Sequence, residues 1–282
     1  MLRLWNAMPV RFVREIVDVY FEKRVSRSAA ELAYFLILTF FPILICVNAF
    51  VGSLHLDSVA FLGALEQLIP PEVAGALTEY LNYITDNQSV AMLVAGVTMT
   101  LFSASAAFRA LMNIMDDIYG KRSYVGVWQV VASVVFSVLF LLTIYLSIVV
   151  MLTGQWFFHL IEQYFHVVGL LVNWQWLKFI ILFALVLIFI LLVYRMAAPR
   201  GKPRPPVLTG GILATVALVA ASMLFSYFIG LSSKYSLVYG SLTSVIILLV
   251  WLYLCGNILI LGNVFNCVWY THKKERYQRE GK

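Results

Sequence analysis

Apolar residues are concentrated in six long runs along this chain, and short polar segments separate the runs. The runs are Glu31–Leu54, Val90–Phe108, Val127–Gly154, Leu177–Met196, Val207–Gly230 and Leu242–Val268. At ~1.5 Å rise per residue, a helix of each run is long enough to cross the ~30 Å hydrocarbon core of a bilayer. The pattern therefore predicts an all-α polytopic membrane protein with six transmembrane helices.

Residues 8–24, which precede the first run, mix apolar and charged side chains at roughly helical spacing. This spacing is typical of an amphipathic helix that lies on the membrane surface instead of crossing the bilayer. The sequence accordingly predicts three parts. They are a cytoplasmic N-terminal part with the interfacial helix (1–30), a six-helix transmembrane domain (31–268) and a basic cytoplasmic tail (269–282).

The positive charges occupy alternate gaps between the runs. All of the 20 lysines and arginines except Lys178 and Lys234 lie at the chain ends, in the second gap or around the fourth gap. Basic residues resist translocation, so this split predicts that both termini are cytoplasmic. Only 12% of the residues are charged, and the net charge of +6 is spread over four segments. This distribution favours contact with anionic lipid headgroups at the inner leaflet over binding of nucleic acid.

Two ionisable residues border the first two spans on the same side. Glu31 begins the first span and Arg109 follows the second, so antiparallel neighbours place them at one depth. Two interpretations of this placement are open. The residues form an ion pair at the membrane edge, or each reaches the interface on its own.

Beyond the second span the pattern remains helical and becomes polar. Arg109, Asn113, Asp116 and Asp117 are spaced to share one helical face. This cluster is a candidate for a cytoplasmic gate or for a headgroup-binding site. A structural cap at the membrane edge is the alternative.

The first and last spans carry polar or helix-breaking residues at membrane depth. Pro42 removes a backbone hydrogen bond midway through the first span, and Thr39 is placed to serve the carbonyl group that is freed. The last span carries asparagines at three positions, Asn257, Asn263 and Asn266. They either form interhelical hydrogen bonds or line a cavity.

Motifs of soluble enzymes are not found in the sequence. The four histidines are scattered, the three cysteines lie inside apolar runs, and neither a Walker motif nor a GxSxG motif is present. We therefore predict neither an enzyme nor a metal or cofactor site.

Several stretches together resemble the YihY/virulence factor BrkB family of bacterial inner-membrane proteins. They are Ser28–Pro42, Ala107–Asn113 followed by Tyr119, and Lys234–Ser241 leading to Trp251 and Gly262. The resemblance covers Val10 to Tyr270 and implies an all-helical protein with about six spans. It also adds Tyr239 to the candidate residues. A ribonuclease BN label once given to members disagrees with the residue inventory, and the family's frequent acidic residue after Leu-Gly-Ala is Val264 here.

Two functions from different classes follow from these features. The first is a transporter of a lipid or another amphiphile across the bacterial inner membrane, with Pro42, Asn113 and Asn257 on the wall of a shared cavity. The second is a non-transporting scaffold for cell-envelope machinery. Membrane lipids are the expected partners. Self-association into a homo-oligomer and binding to unidentified envelope proteins are further expectations.

Overall fold

The computed structural model describes residues 8–53, 89–121, 126–165, 174–198, 206–230 and 242–280. Side chains are described within residues 11–47, 89–121, 126–150, 178–198, 206–228 and 242–273. The regular secondary structure of these ranges consists of seven α-helices. They are α1 (Met8–Glu22), α2 (Val25–Ser53), α3 (Val90–Tyr119), α4 (Val127–Phe165), α5 (Trp174–Ala197), α6 (Val207–Gly230) and α7 (Leu242–Glu280).

Six of these helices, α2 to α7, are long and apolar enough to cross a membrane. They coincide with the six apolar runs, so the prediction of an all-α protein with six spans is confirmed. The ends differ, because α2 already begins at Val25 and α7 continues through the basic segment to Glu280. Charged residues end a hydrophobic run, but lysine, arginine and glutamate are good helix formers, so α7 does not stop where the run stops.

The six long helices form a ring in which each packs against its neighbours in the sequence. α2 packs on α3, and this continues in order to α7, which returns to α2 and closes the ring. α3 also contacts α5 and α7, and so it lies closest to the middle. This arrangement brings the starts of α2, α4 and α6 to the same end as the last turns of α3, α5 and α7. The basic segments of the sequence adjoin that end.

The main hydrophobic core lies at this basic end and takes residues from all six long helices. Its fully buried members are Val25, Ala29, Met115, Tyr194, Ile260 and Val264. Toward the opposite end of α6, by contrast, Met223, Leu224 and Tyr227 are largely exposed. Exposed apolar side chains on a long apolar helix are the surface expected to face acyl chains.

α1 presents three different faces. Phe12 packs its ring edge-on against Phe265, 5.2 Å away between centroids, and so docks α1 on α7. Val13, Val17 and Phe21 form an adjacent exposed apolar stripe, and the charged residues occupy the remaining face. The predicted amphipathic helix is therefore present, and the exposed stripe is available to a membrane interface while the neighbouring face packs on protein.

Candidate functional site

A polar seam runs between α3 and α4 at the basic end. The guanidinium of Arg109 donates from Nη1 to Ser105 Oγ at 2.6 Å and lies 3.4 Å from Ser133 Oγ. Ser105 precedes Arg109 by one helical turn, and its hydroxyl is 2.7 Å from that of Ser133 on α4. Arg109 is half-buried and both serines are buried. The seam thus holds a cation against neutral hydroxyl groups.

The predicted ion pair between Glu31 and Arg109 is not formed. Glu31 is exposed on α2, whereas Arg109 points toward α4. The reason is the direction in which the Arg109 side chain points around α3. Ser103 faces α2, where its hydroxyl contacts Thr39, and Arg109 is six residues further on, which rotates it about 120° away from that face. The sequence matches Glu31 and Arg109 in depth, but the direction in which each side chain points around its helix decides its partner.

The seam continues to the membrane edge through amide groups. Gln129 on α4 donates from Nε2 to Asn113 Oδ1 at 2.6 Å. Asn113 and Asp117 are exposed, whereas Asp116 is buried at the inner edge of the same arc of α3. The cap that ends α3 is a backbone one, because Gly120 adopts a left-handed conformation and its N–H bonds to the carbonyls of Asp116 and Asp117.

Pro42 lies within α2, which continues as a helix from Val25 to Ser53. The carbonyl deprived of its partner is that of Leu38, four residues earlier. The prediction that Thr39 serves this carbonyl is wrong, because its hydroxyl lies 2.7 Å from the Phe35 carbonyl oxygen and 3.0 Å from Ser103 Oγ. The hydroxyl points to the neighbouring helix, so Thr39 ties α2 to α3.

The three asparagines of α7 have three different environments. Asn257 accepts a hydrogen bond from the Tyr20 hydroxyl of α1 at 3.0 Å and donates to the Tyr253 carbonyl. Asn266 accepts from the Gly210 N–H of α6 at 2.8 Å and donates to the Val207 carbonyl. The bond from Asn257 to Tyr253 lies within α7, and the other three are interhelical bonds, as one of the two interpretations predicted. Asn266 thus holds the first turn of α6 against α7.

Asn263 differs from the other two asparagines, because its amide bonds neither to another helix nor to α7 within the described residues. It is fully buried, and neither its Oδ1 nor its Nδ2 makes a hydrogen bond to the described part of the protein. The buried hydroxyl of Tyr119, at the end of α3, is also without a bond there. Tyr119 neighbours Cys267 and Tyr270, which lie one and two turns beyond Asn263 on the same face of α7. Two unpartnered buried polar groups therefore face the junction of α3 and α7.

Tyr194 of α5 completes this junction. It is fully buried, neighbours Tyr119, and donates its hydroxyl hydrogen to the Leu259 carbonyl of α7 at 2.6 Å. Gly262 makes room for it, because a Cβ atom there would lie 2.4 Å from the Tyr194 hydroxyl. The sequence analysis missed Tyr194. The signal available was a tyrosine directly after the uninterrupted apolar stretch Phe179–Val193, where a buried hydroxyl needs a partner.

The predicted cavity wall of Pro42, Asn113 and Asn257 is not assembled. Asn113 lies on the outer seam between α3 and α4, and Asn257 is covered by Tyr20 of α1. The helices that carry the three residues do pack together, but Asn113 faces α4 and Asn257 faces α1. Tyr239 lies outside the described residues.

An ionic contact fastens α1 to the distal part of α7. Glu15 Oε2 lies 2.6 Å from His272 Nε2, and Arg11 donates to the other carboxylate oxygen at 2.9 Å. Burial acts to raise the pKa of the Glu15 carboxyl, but the hydrogen bonds and charges of Arg11 and His272 outweigh it. The pKa is therefore lowered from the ordinary value of 4.5.

Acid should loosen α1 from α7. A lowered folded-state pKa means that the stabilisation by Glu15 is complete above the ordinary glutamate value and is lost as the pH falls through the folded-state value. We expect Glu15→Gln to speed hydrogen exchange of α1 amides at neutral pH, by an amount equivalent to about 1 kcal/mol, and to have little effect in acid. Asp18→Asn is the control, since Asp18 forms an exposed 3.8 Å pair with Arg14. Equal effects of both variants would contradict the assignment.

Comparisons with known proteins agree with this architecture. A sequence profile of the family described as Virulence factor BrkB matches residues 16–282. The ribonuclease-like protein YfkH of Bacillus subtilis is 26% identical over 267 residues, which cover 93% of this chain and 96% of that protein. A UPF0761 membrane protein of Coxiella burnetii is 26% identical over 275 residues, covering 92% and 93%. No solved structure matches the chain significantly. The chain therefore belongs to the Virulence factor BrkB family of membrane proteins.

Proposed function

We propose that this multi-pass membrane protein transports a lipid or another amphiphile across the bacterial inner membrane. The proposal rests on the ring of six spans, on the polar groups buried between these helices, and above all on the environment of Asn263. It invokes no catalytic step. The word ribonuclease in the name of the Bacillus relative is said of that protein. Among the residues that the structure describes, no group of three or more His, Cys, Asp or Glu side chains could hold a metal ion.

The observation that carries the proposal is the fully buried, unpartnered amide of Asn263. Leaving a buried polar group without a hydrogen bond costs about 1–3 kcal/mol, and the amide has both a donor and an acceptor in this position. Polar groups inside membrane domains are costly and tend to mark substrate pathways. We infer that Asn263 and Tyr119 obtain their hydrogen bonds from a polar species that passes between α3 and α7.

The ring supplies a route that fits this inference. α3 and α7 are in contact near the middle of the ring, and α7 also packs against α2 to close it. The packing of α7 on α2 is close, since a Cβ atom at Gly256 would lie 3.2 Å from the Ala29 carbonyl oxygen. A change at this closure would open the junction of Asn263 and Tyr119 to one side of the membrane. Alternating access to a site between helices is a common principle of transporters.

Thiol labelling tests whether polar species reach Asn263. In a background without Cys46, Cys255 and Cys267, Asn263→Cys is expected to react with a small membrane-impermeant thiol reagent. Val264→Cys is the matched control, because Val264 is also fully buried and lies on the next position of α7. Reaction at 263 with protection at 264 supports a polar pathway. Protection at both positions means a dry, packed interior and favours the scaffold.

The proposed orientation places both termini in the cytoplasm. It follows from the distribution of lysine and arginine, because the basic segments adjoin one end of the ring. Reporter fusions after Leu54 and after Trp174 are expected to report the outside, and fusions after Tyr119 and after Arg200 the inside. A reversed pattern would show that the charge rule does not orient this chain.

A further inference from the structure

We propose that Arg109, Asn113 and Gln129 form a binding site for the phosphate group of an anionic membrane lipid. The site lies where the seam between α3 and α4 opens at the basic end. The existence of the site is inferred independently of transport. The interpretation that this site loads the transported amphiphile rests on the proposed function.

The first argument is the charge of Arg109. Its contacts in the described structure are the hydroxyls of Ser105 and Ser133, both approached by Nη1. Both partners are neutral, so they solvate the guanidinium but do not balance its charge. The nearest carboxylates along α3 are at Asp116 and Asp117, about 10 Å further along the helix axis. A half-buried cation at a membrane edge is stabilised by an anion, and the Nε and Nη2 donors remain to bind one.

The second argument is depth. Arg109 follows Val90, the first residue of α3, by 19 positions, which places it about 28 Å along the helix axis. A helix that enters the hydrocarbon near Val90 therefore reaches the opposite headgroup layer at Arg109. Trp128, at the start of α4, is 73% exposed beside the same seam. Exposed tryptophans at helix ends are typical of the membrane interface.

The third argument is the shape and chemistry of the surroundings. Asn113 Oδ1 is occupied by Gln129, which leaves the amide N–H groups of Asn113 on the exposed rim as further donors. Apolar side chains flank the seam and are exposed, namely Phe102 on α3 and Val130, Val131 and Val134 on α4. Cationic and amide donors match phosphate oxygens, and the apolar flanks match acyl chains. The combination fits a phospholipid better than a free anion.

Lipid binding to the purified full-length chain tests the site. Native mass spectrometry of the delipidated protein measures the affinity for added phosphatidylglycerol. Arg109→Gln is expected to weaken binding about tenfold or more, as the loss of a charge-assisted contact implies. Arg27→Gln is the matched control, since it removes the same charge from an exposed position at the same end of the ring. It should change the affinity less than about twofold.

Three outcomes would overturn the proposal. Equal loss in both arginine variants would mean a general attraction of the basic end for anionic lipid. Displacement of the lipid by inorganic phosphate would mean an anion site that does not use the acyl chains. Unchanged binding in Arg109→Gln would mean that no such site exists at this arginine. If Arg109→Gln does not fold, Gln129→Leu on the half-buried rim replaces it, with a loss of severalfold expected.

A failure of the lipid-site proposal can be distinguished from a failure of the transport proposal. Loss of lipid binding in the Arg109 variant together with absent transport by the wild-type protein would refute the proposed function and leave the lipid site standing. Transport that persists with an Arg109 variant unable to bind lipid would keep the function and remove Arg109 from it.

Discussion

Replacing Gly210 with alanine is expected to destabilise the protein by about 3 kcal/mol or more. A Cβ atom at this position would lie 2.2 Å from the Gly262 carbonyl oxygen and 2.4 Å from Asn266 Oδ1. The first of these contacts is backbone, so α6 and α7 have to separate. Their separation also breaks the bond from the Gly210 N–H to Asn266. Unfolding of the purified protein by SDS titration measures the loss.

Gly211→Ala is the control for this prediction. The nearest atom to its new Cβ is Leu191 Cδ2 at 2.6 Å, the far end of a flexible side chain that can move. Alanine also has a higher helix propensity than glycine, by roughly 1 kcal/mol. We expect Gly211→Ala to leave the free energy of unfolding nearly unchanged. If both variants cost the same, the close crossing of α6 and α7 at Gly210 is not real.

Asn263 and Asn266 should respond differently to the same substitution. Asn266→Ala removes the hydrogen bonds to the Gly210 N–H and to the Val207 carbonyl oxygen, and is expected to cost about 1–3 kcal/mol. Asn263→Ala removes a buried amide that has no partner in the described protein, so the relief of its desolvation offsets the lost packing. The two residues are equally buried and lie three positions apart on α7. The same unfolding titration compares the two variants directly.

A loss in Asn263→Ala as large as that in Asn266→Ala would contradict this account. It would mean that the Asn263 amide is held by fixed hydrogen bonds that stabilise the resting fold. A neutral or stabilising effect on folding, combined with a loss of transport, would instead show a residue retained for function at a cost in stability.

The sequence predicts depth along the membrane well and direction around a helix poorly. Hydropathy locates all six spans, because an apolar run of sufficient length has few alternatives in a bilayer. It also places Glu31 and Arg109 at one depth. It does not show that Arg109 points to Ser133 of α4, since that depends on how α3 is rotated within the ring. Rotation is set by packing against several helices at once, and no single helix encodes it.

The asparagines of α7 illustrate the same limit. Their side chains are polar wherever they point, so the sequence identifies all three as candidates and cannot rank them. The ranking comes from their neighbours, namely Tyr20 for Asn257 and Gly210 for Asn266. The Gly210 contact depends on two glycines in different spans, Gly210 and Gly262, that meet only when α6 packs on α7. Asn263 stands out only after the other two are satisfied.

Lipid translocation in proteoliposomes tests the central claim most directly. Liposomes containing the purified protein and a fluorescent phosphatidylglycerol are treated with a membrane-impermeant reductant that bleaches label in the outer leaflet. With the wild-type protein and with Gly211→Ala, the account predicts bleaching that proceeds beyond the outer-leaflet fraction. With Asn263→Ala it predicts bleaching that stops there. Wild-type vesicles that behave like protein-free liposomes would contradict transport of this class of amphiphile and favour a scaffold.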